Sequence, residues 1–139
     1  MDIEAKLIEY VLCTKYNELP HLPVNIVKSM ILVNIGCLIA GASLDECKRL
    51  VKMVEEWGGK PEATIFTHNV KVPGYNAAFA NSTMCRVLDF GDAIAPGIHI
   101  GPVAIPAALS LAATLSSIRL PLDPSPIFKP LEAPYLINS

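Results

Sequence analysis

The chain has 139 residues, 52% of them hydrophobic and only 17% charged, with a formal net charge of -2. So large an apolar share offsets chain entropy and excludes disorder as the state of the whole chain. No basic stripe exists to neutralise phosphates, which excludes nucleic acid as a partner.

Ile3, Leu7 and Val11, joined by Ile8 and Leu12, recur at helical spacing, with Glu4, Lys6 and Glu9 mostly on the other side. The pattern predicts an amphipathic helix over 3–14, broken afterwards by Pro20 and Pro23. A second helix is predicted over 24–41. It is apolar nearly all round, which places it centrally in the core. Gly36, Ala40 and Gly41 are small enough for another helix to approach closely, and Gly41 also serves as a stop.

Ser43 and Glu46 stand at capping-box spacing ahead of a helix over 44–57, which Gly58-Gly59 ends. Ala63 to Phe66 and Val70 to Val72 are short and β-branched, and predict a hairpin closed by Pro73-Gly74. An Ala-rich helix follows over 76–88, then a loop over 89–101. The last predicted helix covers 102–116 and is expected to pair with 24–41 at the centre. Pro121, Pro124, Pro126, Pro130 and Pro134 make residues 119–139 an extended or disordered tail. The fold class read from these elements is all-α, a helical bundle with one short hairpin, with a domain over 1–118 and a tail over 119–139.

Cys13, Cys37, Cys47 and Cys85 match neither zinc spacing nor a redox pair. Cys13, Cys37 and Cys85 sit among apolar residues and read as small buried thiols in a reducing cytosol. Met1-Asp2-Ile3-Glu4 lacks a basic leader, so neither a signal nor a transit peptide is read there and a cytoplasmic location is expected. The apolar runs 29–42 and 102–118 fall short of the roughly 20 residues that cross a bilayer, and read as buried helices rather than membrane spans. Low charge keeps a small membrane-associated protein as an alternative class.

Three stretches together resemble the MmgE/PrpD family. The first runs from Leu19-Pro20 through Asn34-Ile35-Gly36-Cys37-Leu38-Ile39-Ala40-Gly41. The second is Trp57-Gly58-Gly59-Lys60-Pro61-Glu62-Ala63-Thr64-Ile65. The third is Asn76-Ala77-Ala78-Phe79-Ala80-Asn81, then Leu88-Asp89-Phe90-Gly91-Asp92, then His99, then Pro106-Ala107-Ala108-Leu109. The resemblance spans residues from about 5 to about 116 and implies the helical N-terminal segment of a family member, about the first quarter of one. Several positions depart from the family pattern. Asn34 stands where Asp is usual, Ser82 where Gly is usual, Gly91 in place of an acid, and Ala93 in place of a pocket Thr.

The resemblance implies a lyase of the 2-methylcitrate dehydratase or cis-aconitate decarboxylase kind, or an epimerase, acting on small di- or tricarboxylates without metal or organic cofactor. Such reactions move a proton at carbon beside a carboxylate, and an imidazole does this well near neutral pH. On the same ground His99 and Asp89 are the candidate catalytic pair, and Asp92 and Ala93 the candidate substrate-binding residues. The residues alone also fit a plainer reading, with Asp89 bonding its own turn and His99 a satisfied loop histidine. His21 and His68 read as surface residues. A carboxylate substrate needs cations, and Arg86, Lys71 and Lys60 have no clear claim to it, so the segment is expected to be inactive alone. Its uncovered apolar surface favours a homo-oligomer. A non-catalytic interaction module is the alternative.

Overall fold

The computed structural model describes residues 2–93, 95 and 97–117, which fall into two compact units, 2–25 and 26–117. The tail expected over 119–139 lies outside the described residues. The elements are α1 (Ile3–Cys13), a 3-10 turn (Tyr16–Glu18), α2 (His21–Ala42), α3 (Asp45–Glu56), β1 (Ala63–Ile65), β2 (Val70–Val72), α4 (Gly74–Arg86) and α5 (Gly101–Ser117). The mainly helical class with one hairpin is the one read from the sequence.

In the first unit, the Asp2 side chain accepts the Glu4 N–H at 3.1 Å and caps α1. Thr14 ends the helix, its N–H and hydroxyl both returning to the Tyr10 carbonyl. No residue of α1 is buried.

The core of the second unit gathers on α3, the hairpin and α4. Cys47, Val51 and Val54 recur on one side of α3 and are buried, while Lys48, Lys52, Glu55 and Glu56 face out. Asp45 and Glu46 favour the positive N-terminal end of that helix. Gly58 follows the helix with φ at +64°, the left-handed turn that glycine accepts most easily. The hairpin is antiparallel, pairing Ala63 with Val72, Thr64 with Lys71 and Ile65 with Val70. Ala63, Ile65 and Val72 point inward, and Thr64 and Lys71 point out.

Helix α4 presents Ala77, Ala80, Asn81, Met84 and Cys85 to this core. The Asn81 side chain spans the gap to the hairpin, accepting the Phe66 N–H at 3.0 Å and donating to the Thr64 carbonyl at 3.1 Å. The two amide ends thereby replace ladder partners that β1 lacks on its open edge. At the start of α4, a Cβ on Gly74 would strike the Thr114 hydroxyl, so glycine there is what lets α5 pack so closely.

Several expectations are corrected. The capping box at Ser43 is not formed: the Ser43 hydroxyl donates to the Ala40 carbonyl at 2.7 Å, and Leu44 precedes α3 without a side-chain cap. Helix α2 is not central. Its buried residues are Asn34, Leu38, Gly41 and Ala42, while Leu32, Val33 and Ile39 stand exposed. Nor is α2 the main partner of α5, whose most extensive packing is against α4. Gly74 at the start of α4 lets α5 come close beside Thr114, whereas α2 touches α4 through its small Gly41 beneath the Met84 carbonyl and through Asn34, which accepts the Cys85 thiol. Helix α2 also runs to 22 residues, so by length and composition it is long and apolar enough to cross a membrane. Of the three thiols expected to be buried only Cys85 is: Cys13 is exposed and Cys37 half-buried, while Cys47 is buried too. His68 is half-buried, not a surface residue, and its Nε2 is enclosed without a partner.

Candidate functional site

Helix α4 stops at Arg86 because the chain turns left-handed at Asp89, where φ is +55°. The Asp89 N–H returns to the Arg86 carbonyl at 2.9 Å, and its carboxylate pairs with the Arg86 guanidinium. The Asp89 carboxylate is thus engaged by a side chain of its own turn, Arg86, and not by the turn's backbone as the plainer reading had it.

One and two residues beyond Asp89, the chain is pinned. The Phe90 carbonyl accepts the Cys37 thiol at 3.4 Å. Gly91 lies so near Pro102 that a Cβ there would meet the ring carbon Cγ at 2.8 Å. An acidic side chain at 91, the residue the family pattern favours, has no room in this packing.

Asp92 is the hub. One carboxylate oxygen accepts the Asn34 Nδ2–H at 3.1 Å, and the other accepts the Gly101 N–H at the start of α5, also at 3.1 Å. Its main-chain carbonyl lies 3.0 Å from Nδ1 of His99. A carbonyl oxygen only accepts, so the proton of this bond sits on Nδ1, and Nε2 of the neutral ring carries a free lone pair. The Asn34 amide holds the Asp92 carboxyl below its ordinary pKa, helped by the Gly101 N–H and the charge of His99 and opposed by burial.

Asn34 is itself buried in α2. Its Nδ2 also donates to the Met30 carbonyl at 2.8 Å, and its Oδ1 accepts the Cys85 thiol at 3.2 Å. Burial, with the nearby Cys37 and Asp92 adding to it, pushes the Cys85 thiol up to about 11, so it stays protonated and remains a donor near neutral pH.

The structure therefore brings Asp92 and His99 together, gives Asp89 to Arg86, and leaves Ala93 exposed in the loop. Lys60 pairs with Glu62 at 3.4 Å, and Arg86 is engaged by Asp89. Among the described residues no group of three His, Cys, Asp or Glu side chains is placed to hold a metal ion. A shallow groove lined by Lys6, Glu9, Tyr10 and Cys13 belongs to the first unit and shares no residue with this network.

Sequence reasoning missed Asn34, Cys85 and Gly101 as members of the network. Asn34 left a signal, because an amide inside an apolar helical run demands partners wherever it is buried. Its Met30 partner is local, but Cys85 and Asp92 lie 51 and 58 residues further along the chain and Gly101 joins only through Asp92, so no spacing rule points to them.

The class these features define is an enzyme-related, mainly helical domain with an imidazole clamped at a loop. The chain belongs to the MmgE/PrpD family, matching its N-terminal domain over residues 5–120. Comparison with curated proteins gives no match.

Proposed function

We propose that the chain is the N-terminal portion of an MmgE/PrpD lyase acting on a small di- or tricarboxylate, with His99 moving a proton at carbon beside a carboxylate. The observation that carries this reading is the His99 ring, held through Nδ1 by the Asp92 carbonyl with Nε2 left as the base. Dehydration of a 2-methylcitrate-like substrate and decarboxylation of a cis-aconitate-like one both use such a group, and epimerisation at the same carbon does too. Asp92 and Ala93 border the substrate in this reading. Asp89 enters the chemistry only by releasing Arg86, whose guanidinium then becomes a carboxylate clamp.

The chain is incomplete as a catalyst in this reading. Arg86, at the helix end that leads into the loop, is engaged by Asp89, and an anionic substrate needs a free cation. The exposed apolar residues of α2 and α5, among them Ile26, Val33, Val103 and Leu111, favour association with further protein, a homo-oligomer in the simplest case. The buried free thiols fit a reducing compartment, and we place the chain in the cytoplasm.

Titration of the labelled chain with cis-aconitate and with 2-methylcitrate tests the function. Chemical-shift changes centred on His99 and Asp92 are expected. No change at His99 up to high millimolar ligand sinks the proposal. Light scattering tests the association: a monodisperse monomer that binds no apolar dye counts against it.

A further inference from the structure

Resting on that reading of His99, we propose that Asn34 is a positioning residue, acting through Asp92 to hold the imidazole with Nδ1 protonated and Nε2 bare. Asn34 does not touch the ring. It is 1% exposed, in the stretch of α2 from Met30 to Ala42 whose other residues are apolar or small, and both N–H groups of its amide nitrogen are used.

The orientation of the amide is dictated by its surroundings. The Met30 carbonyl and the Asp92 carboxylate only accept, so the nitrogen must face them. The Cys85 thiol lies at the other end, 3.2 Å from Oδ1 and 3.3 Å from the Asn34 main-chain carbonyl, and its one proton serves these two acceptors. Asn34 presents one N–H to Asp92, and the Gly101 N–H presents another to the second oxygen. Donors from α2 and α5 on both oxygens restrain the side-chain torsions of Asp92 and anchor the residue in the loop, where its own carbonyl points one way. That direction is toward His99 Nδ1.

The residue type matters as well as the contact. An alanine at 34 removes the donor to one oxygen and leaves the anion held on a single side. An aspartate at 34 places a second carboxylate within hydrogen-bond distance of the first, and two such groups cannot both ionise. A neutral amide is the side chain that donates to Asp92 and accepts from Cys85 without adding charge.

Long-range proton–nitrogen NMR spectra of the full labelled chain, at a pH where the His99 ring is neutral, read the tautomer directly. The Nδ1–H form is expected for the natural sequence. It is expected to be lost in Asn34→Ala, with the amide signals of Ile65 and Ala80 unmoved. An Nε2–H ring in the natural chain, or an Nδ1–H ring that persists in Asn34→Ala, overturns the proposal. Should Asn34→Ala fail to fold, Asp92→Asn reads the same link from the other side. Its amide nitrogen faces a donor, so the Nδ1–H form is expected to be lost there too, and its persistence overturns the proposal. No ligand enters this measurement. A chain with the tautomer link intact but no response to tricarboxylate defeats the proposed function and leaves the positioning role standing.

Discussion

The Asp92 carboxylate accepts the Gly101 main-chain N–H at 3.1 Å across nine residues of chain, and this bond closes the loop that carries His99. The closure depends on glycine at 101. A Cβ there would overlap Asp92 Oδ1 and crowd Asn34 Nδ2. The obstacle is a carboxylate already fixed on both oxygens, so it has nowhere to swing. Gly101→Ala is expected to destabilise the fold by about 1–3 kcal/mol, the usual range for overpacking a tight site. Urea unfolding measures this, and an unchanged midpoint would mean that the loop opens without cost. Gly36→Ala is the control, since its Cβ would meet open space.

Acid should weaken the fold through Asp92. Its folded carboxyl titrates below the ordinary value of 3.8, first because of the Asn34 hydrogen bond. A group depressed in the folded state contributes stability above its unfolded pKa and loses it as pH falls through the folded pKa. The natural chain is therefore expected to lose more stability than Asp92→Asn between neutral pH and pH 3. Asp45 is also lowered, by Lys48, but this pair is exposed and solvent-screened, so Asp45→Asn should follow the natural chain closely. Urea midpoints across the pH series decide it. Parallel curves for the natural chain and Asp92→Asn would show that the Asn34 bond does not discriminate protonation states.

Asn81 should prove a stability residue and not a site residue. Asn81→Ala leaves the Phe66 N–H and the Thr64 carbonyl without their partners. Leaving a buried polar group unmet costs about 1–3 kcal/mol, and a loss in that range is expected. Hydrogen exchange should quicken first in the hairpin, Ala63–Ile65 with Val70–Val72, while the His99 signals stay in place. A shift at His99 as large as that in the hairpin would contradict the separation.

The helices and hairpin were legible because their apolar residues recur at the spacings that helices and strands impose. Val51 and Val54, or Ile65 and Val72, announce their faces without help from the rest of the chain. The family was legible in the ordered residues from Asn34 to Leu109. What the periodicity of α2 could not reveal was how little of it is covered, because an all-round apolar helix has no preferred face to read. The capping box failed for a local reason: the Ser43 hydroxyl donates back to the Ala40 carbonyl in the last turn of α2. At the candidate site, the family resemblance paired Asp89 with His99 as catalytic and set Asp92 beside the substrate. Their roles separate only when Arg86, three residues before Asp89, and Asn34, 58 residues before Asp92, are seen to choose between the two carboxylates.

The cysteines provide a chemical check on the packing that supports the site. Cys85 is fully buried, donates to Asn34, and has its thiol pushed up to about 11, chiefly by burial. Cys47 is buried too, and burial and the charge of Glu46 raise its thiol. The thiolate is the reactive form, so both should resist alkylation in the native chain. Iodoacetamide at pH 8 is expected to modify the exposed Cys13 first and the half-buried Cys37 more slowly. Cys47 and Cys85 should react only after denaturant opens the core. Peptide mass mapping assigns each site. Asn34→Ala should then speed labelling of Cys85 but not of Cys47, because Cys85 alone loses a hydrogen-bond acceptor. Equal acceleration of both would mean that the substitution loosens the whole unit and not the Cys85–Asn34 contact.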